Sequence, residues 1–194
     1  MSSRDDIILS IYPKKLTVSE VRELLTKTDD SSRELLANLI LHRLKDRYIT
    51  PLEKVPRKFR SGFLTMAAAC LMIETFQCFK EGKRDTIGVG KAVFNRFFDC
   101  YATEFAGIDG EDFYEKIRCG ILHQAQTHGR FRIRRRGAIF DSVEKSINAT
   151  KFLKTLKTIV EDYVNDLRGQ SVNAGPWRNA RLKIEYICDT IEKG

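Results

Sequence analysis

The residues best suited to chemistry lie between positions 113 and 137, in the stretch FYEKIRCGILHQAQTHGRFRIRRRG. Its first half is predicted to be an amphipathic helix that carries one permanent cation, Arg118, and one titratable base, His123. Its second half places five arginines within the seven residues 130–136. Guanidinium groups match phosphate oxygens, and imidazole exchanges protons near neutral pH. The stretch therefore predicts a site for a phosphate-rich ligand.

The spacing of the two candidate residues raises a geometric problem. Arg118 and His123 are five residues apart, which is about 140° around a helix of about 3.6 residues per turn. Side chains at that angle do not share one face of the helix. They can meet through the reach of the arginine side chain, through a local irregularity near Gly120, or across a second subunit. The sequence leaves these three routes open.

A third candidate, Glu74, interrupts an apolar helix that is predicted to run from Ser61 to about Glu81. Burying an unpaired carboxylate is costly, so Glu74 must find a cation or hydrogen-bond donors. Two interpretations remain open. Glu74 forms a structural salt bridge, or it is the partner of Arg118 in a polar pocket.

The arginine-rich segment has the period of a half-buried strand, because Phe131 and Ile133 alternate with charged residues. Residues 138–140 are predicted to pair with it across a turn at residues 135–137. Clustered arginines repel one another unless an anion or carboxylates neutralise them. The alternative is a solvated surface. The candidate anion-binding residues are Arg130, Arg132, Arg134, Arg135 and Arg136.

Helices must position these side chains, and the sequence marks where the helices begin and end. Thr17 with Glu20, and Ser31 with Glu34, have the spacing of capping boxes and predict two helix starts. Pro51 is expected to end the second of these helices. His42, on that helix, is predicted to be a surface residue.

Later in the chain, Asp109 is expected to cap the helix that carries Arg118, and Asn148 a long helix that ends near Leu167. Pro176 opens the last predicted helix. Between them, a helix from about residue 89 to 105 carries a bulky apolar stripe that we assign to the core. Its members are Val93, Phe94, Phe97, Phe98 and Tyr101.

These elements predict an all-α protein, a helical bundle with a small β-hairpin after the motif helix. Residues 1–60 are expected to form an N-terminal helical extension packed on the bundle, and residues 61–194 the bundle itself. A chain of 194 residues is long enough for one such core. The composition, with 42% hydrophobic and 31% charged residues, is that of a globular protein rather than a disordered one.

The net charge of +8 favours anionic partners, with nucleic acid ahead of a membrane surface. The five cysteines include no C-x-x-C pair, so a zinc site or a disulfide framework is not expected. The N-terminus does not have the pattern of a signal peptide. The longest apolar run, residues 62–73, is too short to span a bilayer. We therefore expect a soluble, cytoplasmic protein.

The segment RCGILH, Arg118 to His123, fits R-x4-H and so resembles the R-x4–6-H motif of the HEPN superfamily. The setting is also similar, because an apolar helix with an embedded acidic residue precedes the motif and a long helix follows it. The segments IETFQCFKEG and RCGILHQAQT also resemble those of a bacterial subgroup of that superfamily. The resemblance covers residues 61–168 and leaves residues 1–60 unexplained.

The resemblance implies a helical bundle and a metal-independent endoribonuclease that cleaves RNA by attack of the 2′-hydroxyl, as a toxin or phage-defence effector. It implies His123 as acid or base, Arg118 as electrostatic stabiliser, and Glu74 as the residue that orients one of them. The five arginines would bind the RNA backbone. A homodimer and an antitoxin protein are the implied protein partners, with no cofactor, metal or membrane.

Two other functions remain open. A non-catalytic HEPN-like module would use the same basic surface to hold nucleic acid or a protein. A nucleotide-binding regulator would hold its ligand between the motif helix and the arginine-rich strand.

Overall fold

The computed structural model of the protein describes residues 7–193. It is 65% helical with only small sheets, which confirms the predicted helical bundle with a small hairpin. The strands are β1 (Ile8–Ser10), β2 (Leu16–Thr17), β3 (Arg132–Arg134), β4 (Phe140–Asp141) and β5 (Ser146–Asn148). The α-helices are α1 (Val18–Thr26), α2 (Asp30–Leu44), α3 (Thr50–Glu53), α4 (Gly62–Glu81), α5 (Gly90–Cys100), α6 (Gly110–Asp112), α7 (Cys119–Gln124), α8 (Ala149–Gly169) and α9 (Gly175–Lys193).

The chain divides into two compact units. The first unit takes the chain up to Arg47, the segment Cys78–Arg84 and the chain from Val160 onward. The second unit takes Tyr48–Gln77 and Asp85–Ile159. The division into an extension of residues 1–60 and a bundle of residues 61–194 stays a prediction.

The first unit begins with the elements that its capping residues predict. The Thr17 side chain accepts a hydrogen bond from the Glu20 backbone, and the Glu20 carboxylate accepts one from the Thr17 backbone, so the capping box is confirmed. The second helix starts differently from the prediction. Asp29, not Ser31, is its cap, and its carboxylate accepts bonds from both the backbone and the hydroxyl of Ser32, at 2.9 and 2.7 Å. An ionised carboxylate there satisfies two donors at once.

The prediction that Pro51 ends the second helix is wrong. After α2 the chain passes through a π-helical segment, Lys45–Ile49, and continues directly into α3. Pro51 lies in the first turn of α3, where proline is tolerated.

The core of the second unit is aromatic, as the stripe on α5 predicts. Val93, Phe94, Phe97 and Phe98 are all buried. The rings of Phe94, Phe97 and Phe98 meet phenylalanines from other elements, with centroids from 4.7 Å apart for Phe98 and Phe113 to 6.3 Å apart for Phe97 and Phe76. These rings are therefore engaged in packing and are not free to stack on a ligand.

The apolar helix α4, Gly62–Glu81, extends beyond the apolar run of residues 62–73 in the sequence. Its 20 residues have the length and composition of a membrane span. However, 61% of its most apolar window is buried within the protein. That burial is typical of the central helix of a soluble protein.

A small sheet follows the motif helix, with strand order β3–β5–β4. The hairpin is formed by β4 and β5, which pair antiparallel, while β3 pairs in parallel with β5. The predicted direct pairing of the arginine strand with residues 138–140 is therefore wrong. The buried strand β5 lies between them, and three residues are too few to show a strand period in the sequence.

Candidate functional site

The helix that carries the motif is irregular. After Asp109 caps its first turn through the Asp112 amide at 2.7 Å, α6 leads into a π-helical segment, Phe113–Arg118, and then into α7. The Cys119 amide closes the π segment by bonding to the Tyr114 carbonyl, five residues back. Such widened turns are frequent at functional sites. Arg118 is the last residue of this one.

The end of the motif helix depends on Gly120. The chain turns at Ala125, which has a left-handed backbone with φ of 54°, and folds back over the helix. A Cβ at Gly120 would lie 2.3 Å from the Gln126 carbonyl oxygen and 3.2 Å from the Thr127 Cα. Only glycine permits this close backbone approach, which fixes the loop immediately after His123.

Arg118 and His123 meet within one chain. Arg118 Nη1 lies 3.5 Å from His123 Nε2. The reach of the arginine, at a helix that has just passed through a π segment, brings about this convergence, and a second subunit is not needed for it. Because the guanidinium only donates, the contact is favourable when Nε2 is unprotonated and the ring hydrogen lies on Nδ1.

Glu74 on α4 anchors the other side of Arg118. Its Oε1 accepts a hydrogen bond from Arg118 Nε at 3.0 Å, and its Oε2 accepts one from the Thr86 hydroxyl at 2.7 Å. The side chains of Arg118 and Glu74 are only 21% and 15% exposed. Burial alone would lower the pKa of Arg118, but the hydrogen bond and charge of Glu74 raise it overall. Glu74 is therefore paired with Arg118, an arrangement that both interpretations of Glu74 allow.

The ion pair leaves the Nη1 edge of the Arg118 guanidinium facing His123. Glu74 occupies Nε, while the terminal nitrogen Nη1 faces the imidazole. At 3.5 Å this contact is at the long limit for a hydrogen bond. His123 itself is exposed. A phosphate oxygen bound by the guanidinium would thus lie beside the imidazole of His123, a type of side chain that can act as a general acid or base.

Two further residues at the site carry no signal in the sequence. Thr86 lies in the loop before α5, twelve residues after Glu74, and only the fold shows that it holds the carboxylate. Tyr114 packs its ring under the guanidinium, with the Arg118 Cζ 5.5 Å from the ring centroid. Burial, followed by the neighbouring Cys119 thiol, raises the pKa of Tyr114.

The five arginines predicted as one set have three different environments. Arg132 and Arg134, which alternate on β3, share the carboxylate of Glu144 at 3.2 and 3.4 Å. Arg135 is half-buried and donates to the hydroxyls of Ser61 at 2.9 Å and Thr150 at 2.6 Å.

Arg130 and Arg136 are exposed and form no hydrogen bond or ion pair with any residue of the described chain. In segment 130–145, six cationic side chains are accompanied by two carboxylates, Asp141 and Glu144. This segment therefore keeps a net positive charge at the surface. Arg135, in contrast, serves the fold.

Arg135 and the Arg118–Glu74 ion pair lie at different positions along α4. Arg135 bonds to Ser61, directly before α4 starts at Gly62, whereas Glu74 lies twelve residues after Gly62. At about 1.5 Å per residue this separation is about 18 Å along the helix axis. A single ligand that touches both Arg135 and Arg118 must be extended.

Within residues 7–193, no three or more His, Cys, Asp and Glu side chains form a group that could hold a metal ion. Comparisons of the chain with protein-family models, curated proteins and solved structures found no match. The resemblance to the HEPN superfamily therefore remains a prediction that rests on the motif residues.

Proposed function

We propose that the protein is a metal-independent endoribonuclease of the HEPN type. The observation that carries the proposal is the contact of 3.5 Å between Arg118 Nη1 and His123 Nε2, with the Arg118 Nε held by Glu74. One side chain can bind phosphate, its neighbour is an imidazole that can act as a general acid or base, and a third fixes the first in place. Strand scission at a ribose needs these three functions.

In the proposed reaction, His123 Nε2 takes the proton of a ribose 2′-hydroxyl as that oxygen attacks the adjacent phosphorus. Arg118 stabilises the negative charge that develops on the non-bridging oxygens. The bond from phosphorus to the 5′-oxygen breaks, and the leaving oxygen takes up a proton from the imidazole of His123 in a second copy of the chain. The products carry a 2′,3′-cyclic phosphate and a 5′-hydroxyl. Glu74 is a positioning residue, since it acts through Arg118.

A polymer can contact both Arg118 and Arg135, which a mononucleotide cannot. The separation of about 18 Å along α4 is several times the size of one phosphate group. An RNA strand held at the reacting phosphodiester by Arg118 would reach the cations of residues 130–136. Contacts of exposed arginines with the RNA backbone add affinity without reading sequence.

A homodimer would supply the second proton-transfer group. Leu64 and Leu71 lie on one face of α4 and are 58% and 44% exposed, and Leu122 beside His123 is also exposed. An apolar surface next to charged site residues is typical of an interface. We include in the proposal a cytoplasmic homodimer that acts as a toxin or phage-defence effector, with an antitoxin protein as its candidate partner.

The test is cleavage of a labelled mixed-sequence RNA in EDTA by the wild type and its variants. We expect His123→Ala and Arg118→Ala to abolish cleavage while circular dichroism stays that of the wild type. His128→Ala and Arg178→Ala remove a histidine and an arginine outside the site, and we expect both to cleave normally. Cleavage that survives in both site variants would refute the proposal.

The second candidate function is a non-catalytic module that binds RNA. It is favoured by the two exposed arginines, Arg130 and Arg136, which have no partner among the described residues. RNA binding by the wild type without cleavage, with affinity that falls steeply as salt rises, would support this function instead.

A further inference from the structure

A basic surface with an exposed aromatic ring lies where α4 begins, in the second unit. Three segments meet there, residues 54–61, 130–140 and 145–154. Together they contain twelve lysines and arginines and no aspartate or glutamate. Because like charges repel, an anionic ligand is favoured there if carboxylates from the rest of the chain leave some of these cations unpaired.

Arg135 joins the three segments. Its guanidinium donates to the Ser61 hydroxyl at 2.9 Å and to the Thr150 hydroxyl at 2.6 Å. A second contact holds the same junction, since a Cβ on Gly62 would lie 3.1 Å from Ile133 Cγ2. Both hydroxyls are neutral, so these hydrogen bonds fix Arg135 in place without neutralising its charge.

Four further cations lie close to Arg135 along the chain. Two precede Ser61 by one and three residues, and two follow Thr150 by one and four residues on α8, where residues four apart share a face. All four are exposed and form no ion pair with any residue that the structure describes. They are Lys58, Arg60, Lys151 and Lys154.

Other cations of this region are paired and do not add to its charge. Arg132 and Arg134 share Glu144, and Lys157 pairs with Glu53. We therefore define the junction surface by the unpaired cations and the aromatic ring among them. Its members are Lys58, Phe59, Arg60, Arg135, Lys151 and Lys154.

Phe59 places a large apolar ring among these cations. It is 64% exposed, and Lys58 Nζ lies 5.4 Å from the centroid of its ring. Because Phe59 is two residues before Ser61, the two Cα atoms are at most about 7 Å apart. The ring is thus close to the Arg135 junction and does not belong to the buried core. Exposed aromatic rings within a basic surface stack on the bases of single-stranded nucleic acids.

A single strand matches this surface better than a duplex does. A duplex offers phosphates to the cations, but its bases are already stacked on one another and leave the Phe59 ring without a partner. An unpaired strand offers phosphates and the face of a base at the same time.

We infer that the junction surface binds single-stranded RNA, with a base stacked on Phe59 and the phosphates on the surrounding cations. The choice of RNA rests on the proposed function, since charge and stacking suit single-stranded DNA equally. The inference adds the substrate class. The RNA is unpaired where it crosses the start of α4, about 18 Å along that helix from the Glu74 that holds Arg118.

The first experiment is an anisotropy titration of a labelled, unstructured RNA of about 12 nucleotides. The full-length protein carries His123→Ala, so that cleavage does not disturb the measurement. We expect Phe59→Ala to weaken binding about tenfold, the effect of losing one base stack. Tyr12→Ala is the matched control, because it removes a ring of the first unit that is 62% exposed. It should bind as the parent protein does.

The salt dependence of the same titration tests the cations. Each lost phosphate contact lowers the slope of log K against log salt by about 0.7 for a single strand. We expect that decrease for Arg60→Gln and for Lys151→Gln. Arg178→Gln removes the same kind of charge from the first unit and should leave the slope unchanged.

A tryptophan at position 59 reports stacking directly. The one tryptophan of the chain, Trp177, is fully buried. In Phe59→Trp the new indole is therefore the one exposed to the ligand. We expect the single strand to quench its fluorescence and the same strand in a duplex to leave it unchanged, which a purely structural role of Phe59 would not produce.

Tighter binding of the RNA than of the matching DNA strand would assign the surface to RNA, and equal binding would assign it to single strands of both kinds. Equal affinities of Phe59→Ala and Tyr12→Ala, or equal quenching by duplex and single strand, would overturn the inference. So would Phe59-dependent binding to phosphatidylserine vesicles in a protein that does not bind RNA. Since these titrations measure no cleavage, a wild type that does not cleave RNA would refute the nuclease and leave this result intact.

Discussion

Replacing Glu74 tests the ion pair that anchors Arg118. Removing one partner of a buried pair costs about 3–5 kcal/mol, because the other charge stays buried without a partner. Here the side chains keep 21% and 15% exposure, so water screens part of the loss. We expect Glu74→Ala to lower the free energy of unfolding by about 2–3 kcal/mol.

Urea denaturation measures this change. With a slope of about 1–3 kcal/mol per M, a loss of about 2–3 kcal/mol lowers the midpoint by about 1–2 M. Glu74→Gln is the matched control, since it keeps groups able to bond with Arg118 and Thr86 but lacks the charge. We expect it to lose about half as much as Glu74→Ala.

The double variant Glu74→Ala/Arg118→Ala separates the pair from its surroundings. We expect it to be less destabilised than the sum of the single variants, by about 1–2 kcal/mol, because neither charge is left alone. Effects that add to within about 0.3 kcal/mol would refute the reasoning, since the two side chains would then be energetically independent.

Three further predictions concern the loop, the helix caps and the basic segment. Gly120→Ala should lower the free energy of unfolding by about 1–3 kcal/mol, and with it the melting temperature, through its clash with the chain beyond the helix. Gly169→Ala, which has nothing within 4 Å of its added methyl, should not. The hydroxyl and amide of Ser32 lower the pKa of Asp29 from its ordinary value of 3.8. The stability this gives is present above that value and is lost as pH falls through the lowered pKa, so Asp29→Asn should flatten the acid limb of melting temperature against pH. Glu144→Gln removes the carboxylate that pairs with Arg132 and Arg134. Because both arginines are then available to phosphates, filter binding should show tighter RNA binding at low salt. Unchanged melting of Gly120→Ala, an unaltered acid limb or weaker RNA binding would each contradict the corresponding prediction.

Local patterns in the sequence were sufficient to predict the structure where one short-range interaction determines it. The capping box at Thr17 and the cap at Asp109 need only three consecutive residues beyond them. The aromatic stripe of α5 repeats at the helical period, and the apolar run of α4 predicts burial. The need of Glu74 for a cation or donors could be inferred because burying an unpaired carboxylate is costly, whereas the choice of Arg118 as its partner stayed open in the sequence.

Features that arise from tertiary contacts could not be predicted in this way. The π segment before Arg118 has no sequence pattern, and neither does the contact of Thr86 with Glu74. The five arginines of residues 130–136 look alike in the sequence, yet Arg135 is fixed by Ser61 and Thr150 while Arg130 remains exposed. Their different roles depend on which partner the fold brings to each.

The most direct test of the central claim, that His123 activates a ribose 2′-hydroxyl, is the chemistry of cleavage at one mapped position. An RNA cleaved in EDTA would be compared with the same strand carrying a single 2′-deoxy nucleotide at that position. We predict that the RNA gives ends with a 2′,3′-cyclic phosphate and a 5′-hydroxyl, and that the deoxy substitution stops cleavage there. Cleavage at the deoxy position, or products with 5′-phosphate ends, would contradict the mechanism.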